Sequence, residues 1–251
     1  MMKFLGRLLS LLTALVLVTI PLAHADETID YTKTLVDYQI PESVIASSVD
    51  EFYGIWKIQY MPYEDVVFDY ELLTGSKDYL LIYPNYGVGI IMGSLGSFTY
   101  SGIVDGALLV TDGTDELQFS LNADETLSFS ASGVNVYCTR VSPDLEELSF
   151  TSLLRNPENY VSHFSQFTGV VIDVTGSRTA ANSYYQIRLA VDGNYDHIMF
   201  VEFVNAPDYN LLAGDNITVS VFLGGEYSYE TVLGNQLTVP LGFAFECILN
   251  E

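Results

Sequence analysis

The chain has 251 residues, with 32 acidic against 9 basic side chains and a formal charge of −23 at pH 7. Nucleic-acid binding needs a clustered basic footprint, and the cations here are few and scattered, so no nucleic-acid partner is expected. At 49% hydrophobic, with 18 Tyr and 14 Phe, it is no disordered acidic tail but has the apolar content of one large β domain or two small ones.

Lys3 and Arg7 head the apolar run from Leu8 to Leu22, and Ala23-His24-Ala25 then sets small residues just before Asp26. Basic head, apolar run and Ala-x-Ala site together read as a secretory signal peptide, residues 1–25, cleaved after Ala25. A run of about fifteen residues falls short of the roughly twenty that span a bilayer. The expected location is therefore extracellular, in a cell-surface environment, with no stable membrane insertion after cleavage.

Residues 26–50 form a polar lead segment with a weak helical pattern near Ser43 to Phe52. From Gly54 the pattern changes to short alternating runs separated by turns. Strands are expected at Gly54–Tyr60, Tyr79–Tyr83, Val88–Met92, Ser97–Ile103, Ala107–Thr111, Leu117–Leu121, Thr126–Ser130 and Val134–Arg140. Asp105-Gly106 and Asp112-Gly113 are hairpin dipeptides. Closely spaced strands without long helices predict an up-and-down barrel or meander over residues 51–141.

Val141 to Ser149 is acidic, contains Pro143 and breaks this rhythm, so residues 142–149 read as a linker. A short helical segment follows in Phe150 to Asn159. Longer strands are then expected at Ser165–Gly176, Ser183–Val191, His197–Val204, Asn216–Phe222 and Gln236–Ile248. Five strands with an irregular excursion before the last predict a small barrel in residues 150–251. Cys138 and Cys247 each alternate with apolar neighbours in separate modules, so both are expected to be free core thiols.

Gly54-Ile55-Trp56, Leu80-Leu81-Ile82-Tyr83, Gly87-Val88-Gly89, Leu108 to Gly113 and Asn135 to Arg140 together resemble the lipocalin-like domain of secreted Gram-positive proteins. The resemblance implies a structural role for Trp56, packed at the barrel end beneath Arg140. Ser152 to Tyr160, Phe167-Thr168-Gly169-Val170-Val171, Ile187 to Asp196 and Gly225 to Thr231 resemble an OB-fold domain of such proteins. That family pattern has a basic, Gly-containing turn where this chain has Val161-Ser162-His163. The expected fold class is all-β, a small lipocalin-like antiparallel barrel or meander followed by a five-stranded OB-fold barrel.

OB-folds hold extended oligomers on the face of strands 2 and 3 and in the loop between strands 4 and 5. Tyr227, Tyr229 and Glu230 are expected in that loop, and Tyr184, Gln186 and Arg188 share one face of the second strand by alternation. These six form the candidate ligand groove, aromatic and amide-lined, for a small ligand, glycan, peptide or protein. An opposing interpretation has the tyrosines packing and Arg188 paired with a carboxylate.

Asp192-x-Asn194-x-Asp196 has calcium-loop spacing, but His197 and Phe203 stand where that loop needs Gly and Glu. It and the acidic stretch of Asp112, Asp115 and Glu116 read as ordinary turns. His163 and His197 belong to no metal or triad spacing, and no nucleophile, metalloprotease or phosphate-loop motif occurs. No catalytic residue, metal or cofactor is therefore expected. The expectation is a non-enzymatic binding or accessory protein of the bacterial surface. The alternatives are a carrier of a small hydrophobic ligand in the N-terminal barrel and a glycan-acting enzyme.

Overall fold

Alternating apolar residues build two β-sheets, and the protein is all-β. The computed structural model describes residues 36–63, 66–75, 77–83, 87–91, 95–111, 116–131, 134–176, 185–230 and 234–250. Residues 1–25, expected to be a signal peptide, most of the polar lead, Asp112, Gly113, Asp115 and Tyr184 lie outside them. No helix among the described residues is long and apolar enough to cross a membrane. The chain divides into two compact units, Met1–Leu81 with Ile90–Val141, and Ile82–Gly89 with Ser142–Glu251.

The ten-stranded sheet contains β1 (Ser43–Val44), β2 (Gly54–Tyr63), β3 (Val66–Asp69), β4 (Tyr79–Tyr83), β5 (Gly87–Ile91), β6 (Leu95–Val104), β7 (Ala107–Thr111), β8 (Glu116–Asn122), β9 (Leu127–Ala131) and β10 (Val134–Val141). The hydrogen-bonded order is β1-β8-β7-β6-β5-β4-β2-β10-β9, and β8 also pairs with β9. The path from β2 through β4 to β10 therefore returns to β2. Strands occur at every expected position, while β3 and the short helix α1 (Tyr70–Thr74) were not foreseen. Asp69 caps α1 by accepting the Leu72 amide at 2.9 Å.

Ser43 to Phe52 departs from its helical expectation. Ser43 and Val44 pair with Asn122 and Leu121 of β8, beyond the point where β7 leaves that strand at Phe119. Ladder hydrogen bonds thus outweigh a weak local helical preference, and only Val49–Phe52 coils, as a 3-10 turn. The Glu51 carboxylate anchors this turn, accepting from the Ser47 and Ser48 amides at 2.8 and 3.0 Å. Hydrogen bonds from the Ser47 hydroxyl and these amides hold that carboxyl below its usual range.

Trp56 is fully buried, and its indole donates to the Phe52 carbonyl at 2.8 Å. The Arg140 guanidinium lies 4.4 Å from the indole centroid and donates to the Glu51 carbonyl at 2.6 Å. Gly54 opens β2 with a φ of 140°, where a side chain is strained.

The second unit opens with α2 (Phe150–Arg155) and a 3-10 turn at Pro157–Tyr160, followed by β11 (Phe164–Gly176), β12 (Tyr185–Val191), β13 (Ile198–Phe203), β14 (Asn216–Glu230) and β15 (Gln236–Leu249). The pairing order is β11-β12-β13-β15-β14, with β14 pairing back to β11. β13 and β15 run parallel, and the other pairs are antiparallel. Ile187, Leu189, Met199, Val201, Val219 and Val221 point into one core, which Phe150 and Leu153 of α2 also enter. At Gly169 a Cβ would stand 2.3 Å from the Ala190 carbonyl oxygen, so β11 and β12 approach closely only because this residue is glycine.

Three local findings refine the reading of this half. The segment read as a linker is tied down, since Glu146 donates its amide to Phe164 and accepts the Ser165 hydroxyl at 2.7 Å. β14 extends past Phe222 to Glu230, continuing across a register shift between Leu223 and Glu226. In Val161-Ser162-His163, Ser162 takes a left-handed conformation with φ of 72°, and its amide donates to Leu223. Cys138 and Cys247 are free, the first buried and the second half-buried, and burial pushes both thiols up from their ordinary value.

Two stability outcomes follow from this packing. Trp56→Ala is expected to cost about 3–5 kcal/mol through its cavity, and Arg140→Ala about 0.5–2 kcal/mol through the lost stacking. Urea midpoints check both, and equal effects would contradict the arrangement. Ser162→Gly should stabilise the second unit by up to about 1 kcal/mol, because a side chain disfavours left-handed backbone while the glycine's extra unfolded-state entropy offsets part of the gain. A lower thermal midpoint for that variant would refute the strain.

Candidate functional site

The outer face of the second unit is set by strand parity. Ile187 and Leu189 go to the core, so Gln186 and Arg188 face away from it. Register pairs Arg188 with Asp173 of β11 on one side and Phe200 of β13 on the other. Gln186 pairs with Glu202 and donates to its carboxylate at 3.3 Å.

Arg188 is the centre of this face. Its Nε donates to the two Asp173 carboxylate oxygens at 3.0 and 2.9 Å, and its Nη2 closes a second contact to Oδ2. Nη1 donates to the Tyr229 hydroxyl at 3.5 Å, with the guanidinium carbon 5.6 Å from that ring's centroid. The Asp173 hydrogen bonds, then the Tyr229 one, raise the Arg188 pKa above its already high ordinary value. The guanidinium is held as a fixed, charge-compensated plane.

Aromatic rings continue the row. Tyr229 lies 6.2 Å from Tyr227 at 28°, and Tyr227 stacks on Phe200 at 3.9 Å and 15°. Tyr227 and Tyr229 are half-buried, while Glu226, Ser228 and Glu230 between and beyond them are exposed. The sequence reading put Tyr227, Tyr229 and Glu230 in a loop; they instead lie in β14, paired with Val239, Leu237 and Gln236 of β15. Pairing with β15 resumes at Glu226 after the register shift at Gly224-Gly225.

The structure thus brings Arg188, Tyr227 and Tyr229 together, with Gln186 on the same face. Glu230 sits at the far end of the β14–β15 hairpin, with no contact to Arg188 shown, and Tyr184 lies outside the described residues. Arg188 is paired with a carboxylate, as the opposing interpretation required. Sequence reasoning missed Phe200 and Asp173. Parity on β13 could have found Phe200, which alternates with core residues Met199 and Val201. Asp173 was hidden by the register shift between Val171 and Asp173.

Comparison with family models, curated proteins and solved structures returned no match to this chain. The chemistry of the face must therefore speak for itself. It offers stacked rings, an oriented guanidinium, an amide and hydroxyls, and among the described residues no three His, Cys, Asp or Glu side chains converge. The Asp192-Asn194-Asp196 segment forms a turn in which the Asn194 side chain accepts the Asp196 amide at 3.0 Å. Glu146 is engaged with His163 Nδ1 at 2.9 Å.

Arg188→Ala should lower stability by about 1–2 kcal/mol, because it strands Asp173 at a partly exposed position and frees the Tyr229 ring. Urea unfolding measures this, and an unchanged midpoint would mean that the fork is a surface ornament without energetic weight.

Proposed function

We propose that this chain is a secreted, non-enzymatic binding or accessory protein of the bacterial cell surface. Its second unit is proposed to act as an OB-fold that holds an extended glycan or peptide on its outer face. The order β11-β12-β13-β15-β14, with its parallel β13–β15 pair, supports the OB-fold reading. The next-neighbour path through β2 to β10, with Arg140 on Trp56, supports the lipocalin-like reading of the first. The leader-like residues 1–25 support export. Folds host many activities, so the function rests on the site.

The observation that carries the proposal is the ordered row Phe200–Tyr227–Tyr229–Arg188. Flat rings with polar tips stack on sugar faces or peptide planes while their hydroxyls hydrogen-bond outward. Arg188 is neutralised by Asp173, so the face does not select anions by charge.

The test is a panel of soluble glycans, peptidoglycan fragments and peptides titrated against the intact protein. Tyr229→Ala and Tyr227→Ala are expected to weaken the bound member about tenfold each, roughly 1.4 kcal/mol, with the fold retained. Arg188→Lys should also weaken it, because a point charge cannot reproduce the fork. If no member of the panel loses affinity on any of these three substitutions, this face is removed from consideration.

A further inference from the structure

The first unit carries a surface independent of the row on β14. A concavity of about 500 Å³ opens between β7, β8, β9 and β10, with Ser43 of β1 at its side. Its walls hold Gln118 and Ser120 of β8, Ser128 and Ser130 of β9, and Asn135 and Tyr137 of β10. Register makes these one surface, since Ser120 pairs with Ser128, Ser130 with Asn135, and Ser128 with Tyr137. The opposite parity carries Phe119 and Phe129, whose rings meet at 5.1 Å in the core.

We infer that this concavity is a binding site for a neutral, polyhydroxylated ligand, a short saccharide. Its volume lies in the range of ligand pockets, roughly 300–1,000 Å³. Serines supply much of the lining, and their small side chains are what leave room between the strands. Gln118 and Asn135 are planar amides offering both donors and acceptors. Among the described residues, the side chains of Gln118, Ser130 and Asn135 make no intramolecular hydrogen bond, so they are available to a ligand. Ser128, by contrast, is already oriented by the Asn122 side chain at 3.2 Å.

The same lining rejects other ligand classes. No Lys or Arg lines the concavity, so phosphate or sulfate groups find no counter-charge there. Its walls are mainly polar, and an acyl chain laid on them would strand amides and hydroxyls away from water. Glu116 is the one ionisable side chain besides Tyr137 in the lining, and a carboxylate suits vicinal hydroxyls as an acceptor. Tyr137 is buried and braced by Tyr38, whose ring lies 5.6 Å away, giving the concavity a rigid aromatic end.

The intact protein should be titrated calorimetrically with neutral cello-, malto- and chito-oligosaccharides, with decanoate as the apolar control. At least one saccharide series is expected to bind, and the double variant Gln118→Ala/Asn135→Ala to weaken it about tenfold or more. Asn135→Asp, isosteric and on an exposed strand position, should weaken it too and guards against misfolding of the double variant. Leu212→Ala, at an exposed position outside both candidate surfaces, should leave this binding unchanged. Saccharide binding lost with Tyr229→Ala but kept in the Gln118/Asn135 variants would overturn the assignment. So would binding of decanoate alone, or no binding to any saccharide in the millimolar range.

Discussion

A strand that gives one face to a core fixes what its other face presents, because side chains alternate and a slip of one residue would exchange the two sets. In β12, Ile187 and Leu189 are sunk in the second core, which leaves Gln186 and Arg188 the outer face. Register then chooses their neighbours, Asp173 and Phe200 for Arg188 and Glu202 for Gln186. In the first unit, the buried pair Phe119 and Phe129 likewise turns Ser120 and Ser128 to the opposite face. Each candidate surface is therefore held in place by the packing behind it, and neither can shift register without exposing the core.

This constraint also explains what was legible from the residues alone. Alternation located the strands of both units, because apolar and polar residues trade places along them. It failed where a local feature breaks period two. The Gly224-Gly225 bulge made β14 look eight residues shorter than it is, and so moved Tyr227 and Tyr229 from a strand into a loop. The shift after Val171 concealed that Asp173 opposes Arg188. β1 was missed for another reason: two residues carry no periodicity, and only the free edge of β8 beyond Phe119 makes Ser43 and Val44 a strand. Long-range pairing of that kind is absent from any local window.

Charge behaves differently at the two scales. The chain as a whole is strongly acidic, which favours solubility and self-repulsion. Locally, the cation at the centre of one surface is compensated, and the lining of the other holds a single carboxylate. Arg188 is forked onto Asp173, and the concavity of the first unit has amides and hydroxyls with one carboxylate. An acidic protein that needed to bind cations or basic partners would be expected to concentrate carboxylates at its best-formed concave or aromatic surface. Here Asp173 is forked onto Arg188 and Glu202 accepts from Gln186, so the carboxylates of the aromatic face serve to order its polar groups.

The β12–β14 face is preorganised. Phe200 lies flat against Tyr227, and Arg188 is pinned by its fork to Asp173 before any ligand arrives. Side chains already fixed in this way lose little further freedom on association, which favours affinity. The fork to Asp173 thus fixes the polar end of the row as the stack on Phe200 fixes its aromatic end.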